Sequence, residues 1–157
     1  MLKSLFKNLF SKKYNYPKDI YDMCIIARKE AKACIEKELG YKLKNCSEPK
    51  VIKQFAEKKI NGFWSWKSRE WNNMWVCGLA YKNKIIVGCN PSTSNEVNPI
   101  VLKHEMGHHW LINNFNGYYH DPKFKNCFHN WNDPIKQKFI STNINNETCS
   151  VDFVFDE

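Results

Sequence analysis

The amino-acid sequence predicts an α+β domain, a small sheet or hairpin flanked by helices. Three observations predict it. Apolar side chains recur at helical spacing over residues 17–39, two strand-like runs separated by a tight turn occupy residues 74–89, and a second helical pattern opens at Pro99. A chain of 157 residues suits one such domain, and its 43% hydrophobic and 15% aromatic content supports a core rather than wholesale disorder.

The N-terminal stretch "MLKSLFKNLFSKKYNYPKD" interleaves Leu2, Leu5, Phe6, Leu9 and Phe10 with lysines, so residues 1–16 form a basic amphipathic segment ahead of a single domain over 17–157. The segment lacks a continuous apolar region and a small-residue cleavage site, which argues against a signal peptide. Packing on the domain is favoured over contact with a membrane or an acidic partner. From Pro17, the residues Ile20, Met23, Cys24, Ala27, Ala31, Cys34, Ile35 and Leu39 predict one long helix that stops at Gly40. "SEPKVIKQFAEKKING" predicts a shorter helix ending near Gly62. The following region, rich in Trp, Tyr, Val and Ile, predicts strands over 74–81 and 84–89 joined at "YKNK". Pro99 then suits the first turn of a helix that runs to about Asn113. Asp121-Pro122 suits the start of another, "PKFKNCFHNW", and "NDPIKQKFIS" restarts a short one before a tail that ends in a strand.

The net charge of +8 lies entirely in residues 1–60, which hold 15 Lys/Arg against 7 Asp/Glu, whereas residues 61–157 hold 9 of each. The N-terminal part is therefore the candidate surface for nucleic acid (DNA among them) or an anionic membrane, with a solvated lysine-rich helix face as the alternative. Beyond it, Trp64, Trp66, Trp71 and Trp75 alternate with Lys67 and Arg69. If exposed, they would form a stacking platform for single-stranded nucleic acid; a buried strand face carrying Trp64 and Trp66 is the preferred reading. The longest apolar runs are too short for a transmembrane segment. Seven cysteines without a CxxC pair give no support to a zinc ribbon, and their odd number, with no secretory signal, points to reduced thiols and an intracellular, non-secreted chain, with Cys24 and Cys34 as small core residues.

The chemistry concentrates in "VLKHEMGHHW". His104-Glu105-Met106-Gly107-His108 matches HExxH, in which imidazoles four residues apart on one helical face can share a zinc ion. Glu105, one position on, can act as general base towards a water acidified by that ion. All five histidines fall between 104 and 129, where scattering would be the default. His109 sits about 100° around the helix from His108 and is assigned no ligand role; a supporting or a solvent-facing position is open to it. Leu111 and Asn114 stand where the metzincin continuation needs Gly and His. Glu147 and Glu157 lie in poor helix context, which leaves His120, Asp121, His129 and Asp133 as sources of the third ligand. His120 is the first choice and His129 the second. Tyr118 or Tyr119 is placed to stabilise an oxyanion, and the strand over 84–89 to pair with an extended substrate. The residues thus read as those of a zinc-dependent metalloendopeptidase acting on a protein or peptide. The alternative is a binding module for nucleic acid or protein with little turnover.

The stretch "HEMGHHWLINNFNGYYHDPKF" resembles the SprT-like, Spartan-type zinc metalloprotease domain. That family carries HExxH, a variable loop and then H-x-x-x-F, which here fall on His104, Glu105, His108, His120 and Phe124. "MWVCGLAYKNKIIVGCNPST" is similar to the strands that precede the family's motif helix. The likeness covers roughly residues 74–130, with the helix over 17–39 matching the family's opening helix; Tyr119 stands where the family usually has Gly. The resemblance implies a minimal zincin-like domain, with a small mixed sheet, flanking helices and the HExxH helix packed on the sheet. It also implies a zinc cofactor and proteolysis of DNA-bound or DNA-crosslinked proteins.

Overall fold

Cys24, Ala27, Ala31 and Ile35, three or four residues apart and all buried, give one helix its apolar edge, and this helix, α1, spans Tyr21–Leu39. A 3-10 turn, Lys18–Ile20, leads into it. Gly40 ends it in the left-handed conformation at φ 79°, its N–H bonded to the Glu36 carbonyl at 2.9 Å. The computed structural model describes residues 14–71, 73–115, 122–128, 140–144 and 147–153. The first 13 residues, Tyr118, Tyr119, His120, Asp121, His129 and Asp133 lie outside that set. The core nonetheless reaches back to Tyr16, with Tyr14 packed against it, so the packed region starts before Pro17.

The architecture is mixed α+β: a curled sheet with, among the described residues, three α-helices, α1, α2 (Pro99–Phe115) and the short α3 (Lys125–Phe128). Strands β4 (Met74–Tyr81) and β5 (Lys84–Cys89) form the hairpin expected from the sequence. The helix expected around residues 47–62 is instead two strands, β1 (Lys50–Phe55) and β2 (Lys58–Ile60). Lys, Gln and Glu favour a helix locally, but β1 lies parallel to β5 along its whole length, from Lys50↔Lys84 to Phe55↔Cys89. A partner some thirty residues away overrides the local preference, as is usual for strands. Residues 140–141, expected to close a short helix, begin strand β6 (Ile140–Ile144), and the rest of that expected helix lies outside the described residues. The tail strand is β7 (Glu147–Phe153), paired with both β6 and β4.

With β3 (Phe63–Ser68), the main strand order is β1-β5-β4-β3-β2. Its two ends are neighbours in sequence: only Ala56 and Glu57 separate β1 from β2. The Ala56 N–H bonds the Cys89 carbonyl of β5 at 3.0 Å, and the Glu57 N–H bonds the Ser65 carbonyl of β3 at 2.8 Å. Adjacent residues thus grip strands that are two places apart in the sheet, which forces the sheet to curl. The curl brings β5 against β3 at Gly88, where a Cβ would overlap the Trp64 carbonyl oxygen and lie 2.9 Å from its carbon. Both edges of β5 are occupied, by β1 and β4, so it cannot add an extended substrate as the sequence reading expected.

Along β4, Cys77 and Ala80 belong to the main core with Leu102, Met106 and Trp110, whereas Val76, Leu79 and Tyr81 join Trp66 and Trp71 in a second cluster. Strict alternation therefore fails between 76 and 79, where the β4–β7 register shifts as at a β-bulge. Trp66 and Trp71 are buried, while Trp64 and Trp75 are half-buried. The proposed stacking platform keeps only the latter two, with Lys59 4.7 Å from the Trp64 ring centre and Lys58 4.7 Å from that of Trp75.

Cys34 and Cys127 form a disulfide between α1 and α3, with Cα atoms 5.7 Å apart across 93 positions. The expectation of uniformly reduced thiols, with Cys34 as a plain core residue, is corrected; Cys24 is the fully buried thiol expected. No CxxC-like spacing betrays a pair so far apart in the chain. Among the described residues, no helix is long and apolar enough to cross a membrane.

Candidate metal centre

Helix α2 opens on Asn98, whose side-chain oxygen accepts the Ile100 N–H at 2.9 Å, followed by Pro99 in the first turn. From His104 to Ile112 every residue of the helix is buried, because α1 covers one side and β4 and β5 the other. His104 and His108, one turn apart, lie with ring centroids at 4.5 Å and ring planes at 77°. Glu105 is fully buried. Donor atoms of His104, Glu105 and His108 all lie within 4.8 Å of one another, so the three could hold a metal ion. Two imidazoles and a carboxylate, drawn together inside the core, are a donor set that a metal ion can take.

The seat of Glu105 is Gly78. A Cβ there would lie 2.8 Å from both Cγ and Cδ of Glu105 and 3.1 Å from Val101 Cγ1. The irregular stretch of β4 turns a residue without a side chain towards the carboxylate, and α2 sinks close to the sheet. Gly78→Ala is expected to destabilise the fold by about 1–3 kcal/mol and to displace Glu105. Urea unfolding measures the first effect and the metal content of the purified protein the second; a variant matching wild type in both would show that Glu105 does not need this close seat.

On the other side, Phe128 of α3 faces the histidine pair. Its ring is nearly parallel to His108, at 4.7 Å and 19°, and edge-on to His104 at 5.0 Å. A Cβ at Gly107 would come 2.9 Å from the Phe128 ring, so this glycine makes the approach possible.

His109 points elsewhere, as its place on the helix requires. It is fully buried rather than solvent-facing, with Nε2 2.7 Å from the Ser47 carbonyl. Burial pushes its pKa down, against the pull of the Ser47 and Tyr81 carbonyls, so the neutral ring is favoured. The tautomer that fits donates from Nε2 to the Ser47 carbonyl, while the Asn113 amide beside the ring donates to the Lys82 and His109 carbonyls at 2.8 and 2.9 Å. Beside Ser47, the two carboxylate oxygens of Glu48 share the Arg28 Nε–H of α1, each at 2.7 Å, and Oε2 accepts from the Tyr16 hydroxyl at 3.1 Å. The loop before β1 is thus fastened to both helices, which fixes how α2 is turned.

The structure brings together His104, Glu105 and His108 of the expected site residues. His120 and His129, the choices for a third ligand, lie outside the described residues, as do Tyr118 and Tyr119; Phe124 is buried in the core. Gly78 and Phe128 were not singled out from the sequence. A lone glycine inside the strand pattern "MWVCGLAY" is the sign that could have marked Gly78, whereas nothing near the motif points to Phe128. No family model, no curated protein and no solved structure matches the chain.

Proposed function

We propose that this chain is a zinc-dependent endopeptidase on a minimal zincin-like fold. The observation that carries the reading is the buried meeting of His104, Glu105 and His108 within 4.8 Å, on a helix seated against a glycine of the sheet. His104 and His108 would hold the ion with His120 as third ligand. Zinc, when bound, supplies a Lewis acid that polarises the scissile carbonyl and lowers the pKa of water. Glu105 takes the proton of the attacking water and returns it to the leaving amine. Its buried seat over Gly78 keeps the carboxylate beside the reacting atoms and limits its exchange with bulk water. The substrate is a protein or peptide chain; DNA-bound or crosslinked proteins are the class that the SprT-like resemblance implies, with the basic N-terminal part as the DNA contact.

The test is metal analysis of protein purified without chelators, joined to a cleavage assay with and without single-stranded DNA. Wild type is expected to carry about one zinc per chain. His104→Ala and His108→Ala are expected to lose it, and His120→Ala but not His129→Ala to do the same. Wild type free of zinc, or zinc-loaded protein that cleaves nothing under either condition, sinks the reading. A second reading, a binding module with little turnover, is favoured by the half-buried Trp64 and Trp75 beside Lys59 and Lys58. It predicts nucleic-acid or protein binding that is indifferent to the loss of the Glu105 carboxylate.

A further inference from the structure

The ring that closes over the histidine pair belongs to the last residue of a four-residue helix. Phe128 lies 4.7 Å from His108 and 5.0 Å from His104, against the notch that Gly107 leaves between them. A helix of one turn has little stability of its own and depends on what fastens it. Phe124, in the 3-10 turn Pro122–Phe124 that leads into it, anchors one end in the core, and one residue from Phe128 the fastening is covalent: Cys127 is bonded to Cys34 in the long helix α1, which packs along α2. The chain therefore runs from α1, through the disulfide, to a ring resting on both imidazoles.

We propose that Phe128 is a positioning residue for the two metal-ligating histidines and that the Cys34–Cys127 disulfide holds it in place, so that zinc retention depends on the thiol–disulfide state. The inference rests on the zinc reading above. Packed against Phe128, face-on at His108 and edge-on at His104, the imidazoles keep the rotamers that aim them at a common point. Hydrogen-bonded partners that orient metal ligands change metal affinity by about 10–100-fold, and a packed ring that fixes the same rotamers is expected to act on that scale. A phosphine reductant opens the tether in a balanced step. One phosphine and one water convert the disulfide into two thiols and the phosphine oxide; sulfur gains the two electrons, both protons come from water, and its oxygen goes to phosphorus.

The probe is zinc, measured by competition with a coloured chelator against oxidised wild type, phosphine-treated wild type, Cys34→Ser/Cys127→Ser, Phe128→Ala and Phe128→Tyr. Reduction, the double serine variant and Phe128→Ala are each expected to weaken zinc binding about 10–100-fold, with Phe128→Tyr close to wild type and the double serine variant unresponsive to phosphine. Hydrogen exchange over residues 122–128 is expected to accelerate on reduction, with exchange in α1 and β5 unchanged. Reduced wild type that holds zinc as tightly as oxidised overturns the tether and leaves the endopeptidase reading standing. Oxidised protein that binds no zinc overturns both. Unaltered exchange over 122–128 on reduction overturns the tether whatever the zinc result, so the proposal remains testable if a variant fails to fold.

Discussion

Glu105→Gln is expected to lower substrate cleavage by about 10²–10⁴-fold while leaving zinc content at the wild-type level. The amide keeps the shape of the carboxylate and its fit above Gly78 but cannot accept the proton of an attacking water. The donor atoms of Glu105 and the two histidines lie within 4.8 Å of one another, so a role as ligand is the competing account. Measuring the zinc-to-protein ratio beside the cleavage rate separates the two. Parallel loss of zinc and activity would make Glu105 a ligand, and cleavage at the wild-type rate would remove it from the chemistry altogether. Because the residue is fully buried, the variant should also be checked for its unfolding midpoint. A change in cleavage with an unchanged midpoint assigns the effect to proton transfer.

Gly88→Ala is expected to have the largest effect on stability, a loss at the upper end of the overpacking range, about 3 kcal/mol or more. The added methyl meets the backbone carbonyl of Trp64, which cannot rotate aside as a side chain can. Relief requires β5 and β3 to separate, and with them the bonds at Ala56 and Glu57 that close the curl. A melting temperature lower by roughly 6–12 °C corresponds to such a loss in a chain of this size. Gly62→Ala is the comparison: its φ of 87° disfavours a side chain, but nothing lies within 4 Å, so about 1–2 kcal/mol is expected. Equal melting temperatures for the two variants would refute the close crossing of β3 and β5.

What could be foreseen from the sequence follows from where the information lies. Helices α1 and α2 and the β4–β5 hairpin are written in local patterns, with buried residues three or four apart on α1 and the "YKNK" turn between the strands. The histidine pair was equally legible, since one helical turn suffices to place His104 beside His108. Strand β1 was not, because its helix-favouring Lys and Gln residues are overruled by the parallel partner β5, and the periodicity of six residues is too short to protest. The disulfide and Phe128 belong to the same class. Each depends on bringing residues near 127 to residues near 34 and 108, and no local pattern encodes such a meeting. The bulge in β4 stands between: Gly78 was visible as a glycine in a strand, but its purpose appears only once Glu105 is above it.

The two-residue passage from β1 to β2 also bears on how the chain reaches its native state. Strands β2 to β5 form a run of antiparallel neighbours within residues 58–89, which can assemble through contacts close in sequence. β1 joins only by crossing to the far side of that run and pairing in parallel with β5, so its docking carries the entropy of closing the intervening chain. Its natural place is late in folding, as the step that shuts the curl. Substitutions at Val51 should then speed unfolding more than they slow folding, while those at Val76 or Val87 should act on the folding limb.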